Sequence, residues 1–216
     1  MPDTLFARAV LLDMDGTLVD SDAVVERVWR EWATGHDLDP DRVLGVVHGR
    51  QGHESMALLL PERDAATNRA ENAVLLEKER DQTEGVVAVP GAAALLEALD
   101  GAAHALVTSA DDALATVRMT AAGLRIPAAR VTAEHVSRSK PDPEGFLRAA
   151  ELLGVEPAGC VVFEDSAAGI AAGISSGATV IGVGPRAAGL GAAYVVPDLT
   201  AVSVAVLPDG IRISLA

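Results

Sequence analysis

The run Leu11-Leu12-Asp13-Met14-Asp15-Gly16-Thr17-Leu18-Val19-Asp20-Ser21 decides how the rest of the chain is read. It completes a short apolar stretch, Ala7–Leu12, with none of the alternation of a half-exposed strand. That pattern is expected of a strand covered on both faces, as in a parallel sheet. Two carboxylates then follow, two residues apart in a loop, where both side chains can serve one cation. Gly16 permits a tight turn and a close approach of backbone to an anion. Carboxylates so close repel each other unless a positive charge compensates. Oxygen-only ligands of this kind suit Mg²⁺, which takes one or two carboxylates together with phosphate oxygens.

Outward from this run, apolar stretches recur at Ala105–Val107, Val161–Phe163 and Thr179–Val183. Ala-rich helical patterns lie between them, at Ala92–Leu99, Asp112–Ala122, Pro143–Leu153 and Gly169–Ser176. Strands alternating with helices predict an α/β fold, a doubly wound, Rossmann-like parallel sheet. Such sheets bind ligands at the carboxyl ends of their strands, here Asp13–Gly16, Thr108–Asp111 and Glu164–Ser166. Residues 20 to about 84 break the alternation. Ser21–Thr34, Glu54–Leu60 and Arg63–Arg80 read as helices, and no strand is expected among them. The chain therefore divides into a core of residues 1–20 and 85–216 and an inserted, small all-helical cap of residues 21–84. Tyr194–Ala216 is expected to add minor strands.

Composition narrows the function. The 216 residues carry a net charge of −14 and are 50% hydrophobic. A chain this apolar is not a disordered acidic tail, and one this acidic lacks the basic stripe that nucleic acid or an anionic membrane requires. The uncharged segment Ser166–Pro185 is rich in glycine and serine and ends in VIGVG, which reads as a helix followed by a buried strand rather than a membrane span. The single cysteine, Cys160, cannot form an internal disulfide; it reads as a small core residue and fits a reducing cytoplasm. A cytoplasmic monomer is expected, with a weak dimer as the alternative.

Two further acidic and hydroxyl pairs sit at predicted strand ends, Glu164-Asp165 and Thr108-Ser109. Lys140, one of only two lysines, lies between the prolines and serine of Ser139-Lys140-Pro141-Asp142-Pro143. A lysine in so rigid a loop is aimed at something. In order, the segments LLDMDGTLVDS, LVTSAD, SKPDP and VVFEDSAAGI resemble the four motifs of the haloacid dehalogenase-like hydrolases. The resemblance covers the whole chain, and the helical insertion resembles the small cap of one branch of that superfamily. It implies a Mg²⁺-dependent enzyme that forms an aspartyl-phosphate. Asp13 would be the nucleophile and Asp15 the general acid and base. The metal would be held by Asp13, the backbone carbonyl of Asp15 and Asp165, with Glu164 binding directly or through water. Thr108, Ser109 and Lys140 would hold the transferring phosphoryl group.

Within the superfamily, His48-Gly49-Arg50-Gln51 resembles the small sugar phosphatases, which implies a small phosphorylated sugar or polyol as substrate. Gly49 would let the cap backbone approach the ligand, Arg50 would bind hydroxyls or phosphate, and His48 and Gln51 would be hydroxyl partners. The alternative is a sugar phosphomutase similar to β-phosphoglucomutase, although Val25 stands where those enzymes carry a histidine. Asp15 argues against a dehalogenase. Lys78, in the run Glu77-Lys78-Glu79-Arg80, reads as solvated helix surface rather than a Schiff-base lysine. Trp29 and Trp32 read as core of the cap. His36, His53, His104 and His135 show no metal-cage spacing.

Overall fold

The apolar stretch before Asp13 is two strands rather than one. In the computed structural model, which describes residues 3–216, β1 (Asp3–Ala7) and β2 (Ala9–Leu12) part at Arg8 and enter different sheets. All four residues of β2 are buried, with Val10 and Leu12 in one apolar cluster and Ala9 and Leu11 in the other. A strand covered on both faces accounts for the missing alternation.

After β3 (Val19–Asp20) come four consecutive helices: α1 (Asp22–Gly35), α2 (Pro40–Val47), α3 (Gly52–Leu59) and α4 (Ala65–Asp81). Helix α2 was not expected; Asp39 caps it, and Pro40 opens it with a pre-set φ. Helix α1 buries Val24, Val28, Trp29, Trp32 and Ala33, the spacing of one helical face. The chain leaves the helices through β4 (Val87–Ala88), which pairs antiparallel with β3. Two crossings tied into one ribbon form the only strand pair at the foot of the insertion among the described residues.

The alternating part follows as α5 (Ala92–Ala98), β5 (His104–Val107), α6 (Asp112–Ala121), β6 (Ala129–Val131), α7 (Glu144–Leu152), β7 (Cys160–Glu164), α8 (Ala167–Ser176), β8 (Thr179–Val183) and β9 (Tyr194–Val196). These five strands join β2 in a six-stranded parallel sheet ordered β6-β5-β2-β7-β8-β9. The chain builds outward from β2 on one side, then crosses to β7 and builds outward on the other. The order therefore reverses between β2 and β7, the place where such sheets open a ligand crevice.

The tail adds β10 (Val202–Leu207) and β11 (Gly210–Leu215), a hairpin that takes up β1 in a second, antiparallel sheet ordered β1-β11-β10. The minor strands expected of Tyr194–Ala216 are present as β9, β10 and β11. Cys160 opens β7 and is buried, a core position as expected. No helix among the described residues is long and apolar enough to cross a membrane.

Candidate active site

Neighbouring strands β2 and β7 bring the two acidic motifs together. Their register sets Leu12 opposite Phe163, and the Asp13 N–H donates to the Phe163 carbonyl at 3.0 Å. Asp13, Glu164 and Asp165 consequently leave adjacent strand ends at the same level. All three are buried, and they offer carboxylate oxygens within 4.8 Å of one another. Burial, then the charge of Glu164, pushes the Asp13 carboxyl well above its usual range. The same two causes, in the same order, raise Asp165 to about 7.

Lys140 answers part of this repulsion. Its Nζ donates to Asp13 Oδ1 at 2.5 Å, to Glu164 Oε1 at 2.8 Å and to the Val107 carbonyl at 3.1 Å. Burial alone would lower the lysine pKa, but the two carboxylates outweigh it and keep the ammonium charged. Glu164 spends its other oxygen on the Ser166 N–H and hydroxyl, at 2.8 and 3.0 Å. Ser166 in turn caps α8 through the Gly169 N–H. Glu164 is thus an anchor for Lys140 and for the start of α8. Arg186 holds Asp165 Oδ2 with two nitrogens, at 2.8 and 3.1 Å, and reaches Asp22 at the start of α1 at 2.6 Å. Arg186 was not expected from sequence. Its loop after β8 carries no acidic or hydroxyl motif to draw attention to it.

Gly16 is required at the first loop. Its φ is +84°, and a Cβ there would lie 2.1 Å from Asp165 Oδ2. Three buried carboxylates of hard oxygen donors, answered by two cations, fit Mg²⁺. Asp13 and Asp165 would supply ligand oxygens, and the Asp15 carboxylate is not among the three that converge.

Asp15 instead points its side chain toward the helical insertion. Ser21 Oγ donates to Asp15 Oδ1 at 2.7 Å, and Arg118 Nη1 lies 2.8 Å from Oδ2. Arg118 Nη2 donates to Glu79 Oε2, also at 2.8 Å, and both residues are buried. This corrects the reading of Glu77-Lys78-Glu79-Arg80 as solvated surface. Lys78 does pair with Glu31 in the open, but Glu79 is only 7% exposed and Arg80 bridges to Asp111. The signal was present in the spacing. Glu79 stands four residues after buried Leu75, and Arg118 four after buried Leu114, so each charge lies on an apolar helical stripe.

A cavity of about 80 Å³ separates the insertion from the sheet, lined by Asp13, Asp15, Thr108 and Ser109 below and by Val25, Trp29, His48, Gly49 and Arg50 above. Thr108 is buried, its hydroxyl accepting from the Ala110 N–H. Ser109 Oγ donates to the Gly49 carbonyl at 2.9 Å, so the expected phosphate-binding hydroxyl and the expected cap glycine are in contact. Gly49 has φ +77°, and a Cβ there would lie 2.1 Å from Ser166 Oγ. His48 and Arg50 line the cavity, and burial followed by the charge of Arg186 lowers the His48 pKa. Gln51 does not reach it. Its amide donates to the Ala133 carbonyl at 3.4 Å, across an adjoining recess that also holds Lys140. Glu54, also unexpected, accepts from Ser139 next to Lys140. Trp29 and Trp32 are buried edge to face with centroids 5.3 Å apart, as expected of core, and Trp29 also forms cavity wall.

The haloacid dehalogenase-like hydrolase family model matches residues 7–177. Among curated proteins, "Hexitol phosphatase A" of Escherichia coli is 44% identical over 178 residues, 82% of each chain. "2-deoxyglucose-6-phosphate phosphatase 2" of Saccharomyces cerevisiae is 32% identical, over 90% of this chain and 89% of its own. A solved hydrolase from Pseudomonas syringae superposes with a TM-score of 0.78 at 27% identity, covering 89% of this chain and 94% of that one. The motifs that the parallel sheet gathers at β2 and β7 therefore have a known setting, and the chain belongs to the haloacid dehalogenase-like hydrolases.

Proposed function

We propose that this hydrolase is a Mg²⁺-dependent phosphatase of small phosphorylated sugars or sugar alcohols, working through a phosphorylated Asp13. The observation that carries the reading is the buried group Asp13, Lys140, Glu164 and Asp165, whose Asp13 lines a cavity together with Asp15 and Ser109. Residues 21–84 would act as the cap over a core of residues 1–20 and 85–216. The names of the hexitol and 2-deoxyglucose-6-phosphate phosphatases support the substrate class.

Bound Mg²⁺ would offset the charge of the phosphate against the acidic cluster. Asp13 attacks phosphorus, the bond from phosphorus to the ester oxygen breaks, and Asp15 gives that oxygen its proton. Water then attacks the phosphorylated Asp13, Asp15 takes the proton, and the bond between phosphorus and the Asp13 oxygen breaks to restore the carboxylate. Lys140 and Ser109 hold phosphoryl oxygens, and cap closure excludes bulk water. The mutase alternative finds less support, because Val25 gives the cavity wall an apolar side chain where a second acid–base group would be wanted.

Phosphate release is to be measured across hexose, hexitol, pentose and glycerol phosphates, ranked by kcat/KM. Hexitol or hexose phosphates are expected to lead. Activity confined to nucleotides would refute the substrate class, and conversion of a sugar 1-phosphate to its 6-phosphate would favour the mutase.

A further inference from the structure

Arg118 and Glu79 are the buried charges that this scheme leaves without work. They meet across the boundary between the insertion and the sheet, Glu79 from α4 and Arg118 from α6, at 2.8 Å. A buried ion pair is a weak way to hold two elements together, since apolar side chains of similar volume do as well or better. Both residues line the cavity beside Asp13 and Ser109. Arg118 also has a third neighbour, Asp15 Oδ2, at 2.8 Å. With Ser21 on Oδ1, the Asp15 carboxylate is gripped at both oxygens.

We propose that Arg118 is a positioning residue for Asp15, locked in place by Glu79 when the cap is shut, and that its effect falls on the second half of the reaction. The inference rests on the phosphorylated-Asp13 reading. In the second half a water oxygen bonds to phosphorus, the bond from phosphorus to the Asp13 oxygen breaks with its electron pair returning to the carboxylate, and Asp15 receives the water proton. With Ser21 on one oxygen and Arg118 on the other, the Asp15 carboxylate is held in one orientation for taking that proton. An aryl phosphate loses its phenolate without a proton from Asp15, so with such a substrate the hold on Asp15 is called on in the second half and not in the first. Glu79 then keeps the guanidinium anchored between the two halves. Because Glu79 belongs to the insertion, Arg118 is fully anchored only with the cap closed.

The test uses 4-nitrophenyl phosphate, whose phenolate leaves without needing a proton, in stopped flow with Mg²⁺ present. Arg118→Met is expected to show a burst of nitrophenolate equal to the enzyme concentration, then a steady rate about 10²-fold below the unsubstituted enzyme, the scale of a displaced reacting group. Acid-quenched mass spectrometry is expected to find most Asp13 phosphorylated. The double variant Arg118→Met with Glu79→Leu leaves no unpaired buried charge, keeps the fold and should partition in the same way. Glu79→Gln should shift the partition in the same direction but less. If Arg118→Met and the double variant lose burst and steady rates together without accumulating phosphorylated Asp13, while Asp15→Asn does accumulate it, the positioning role is overturned and the covalent scheme stands. If no variant, Asp15→Asn included, yields phosphorylated Asp13, both fall together.

Discussion

Two clusters of charged side chains in this molecule are built on opposite electrostatic plans. At the carboxyl edge of the sheet, Asp13, Glu164 and Asp165 face one another in burial, and Asp165 rises to about 7. In the helical insertion, Glu71 is surrounded by donors. It accepts from Trp32 Nε1 at 2.9 Å and from Arg63, and His36 Nε2 lies at 3.2 Å. Hydrogen bonding to Arg63 leads the causes that pull the Glu71 carboxyl down to about 2. The insertion cluster pairs each charge and ties α1 to α4; the sheet cluster leaves its anions partly uncompensated. A group tuned for stability is satisfied within the chain, whereas one tuned for chemistry waits for a partner from outside.

The sharpest way to break the comparison is Asp13→Asn. Turnover should fall by on the order of 10⁴-fold or more, as for a lost nucleophile, while the melting temperature without metal stays level or rises. A clear loss of stability would mean that the sheet cluster also holds the fold together. Asp15→Asn should cost about 10²- to 10⁴-fold in kcat on an alkyl phosphate, the usual range for proton transfer; initial rates on a hexitol phosphate would read it, with aryl phosphates less affected in the first half.

Metal offers a third contrast. Chelation should abolish activity reversibly, and Mg²⁺ at about a hundred times its dissociation constant should stabilise the protein by about 2.7 kcal/mol. Thermal melts should show that gain largely missing in Asp165→Asn and undiminished in Glu71→Gln. The smallest effect belongs to the insertion. Glu71→Gln should leave kcat within about twofold and lower stability by about 1 kcal/mol, the scale of a few half-exposed hydrogen bonds.

The acid dependence of that last difference has a definite sign. Glu71 has its folded-state pKa depressed, so its stabilisation is present above the unfolded value near 4.5 and is lost as pH falls toward about 2. Melts of the protein and of Glu71→Gln should converge over that window. A gap that stays constant down to pH 2 would remove the pairing as its cause.

The sheet and its acidic edge were legible because their signals are local. An apolar run followed by DxDG, TS or ED marks a strand and its end within a few residues, and parallel pairing brings such ends together. The strand before Asp13 was read as one because nothing local marks the break at Arg8; pairing of β1 with the distant β11 imposes it. The partnerships of Arg118 with Glu79, Arg186 with Asp165 and Ser109 with Gly49 were equally out of reach. In the first two an arginine with no motif around it reaches an acid far along the chain, and the third engages a backbone carbonyl, which has no identity in a sequence.

By itself the sequence determined the layered α/β architecture, the helical insertion and the residue types placed at the strand ends, since periodicity and turn chemistry act over a few residues. Tertiary structure alone decided which charges would be buried against which. It put Asp15 between Ser21 and Arg118 rather than with the other carboxylates, and it drew Glu79 from an apparently solvated run into the cavity wall. Burial and pairing depend on the distance between groups far apart along the chain, and only the packed fold sets that distance.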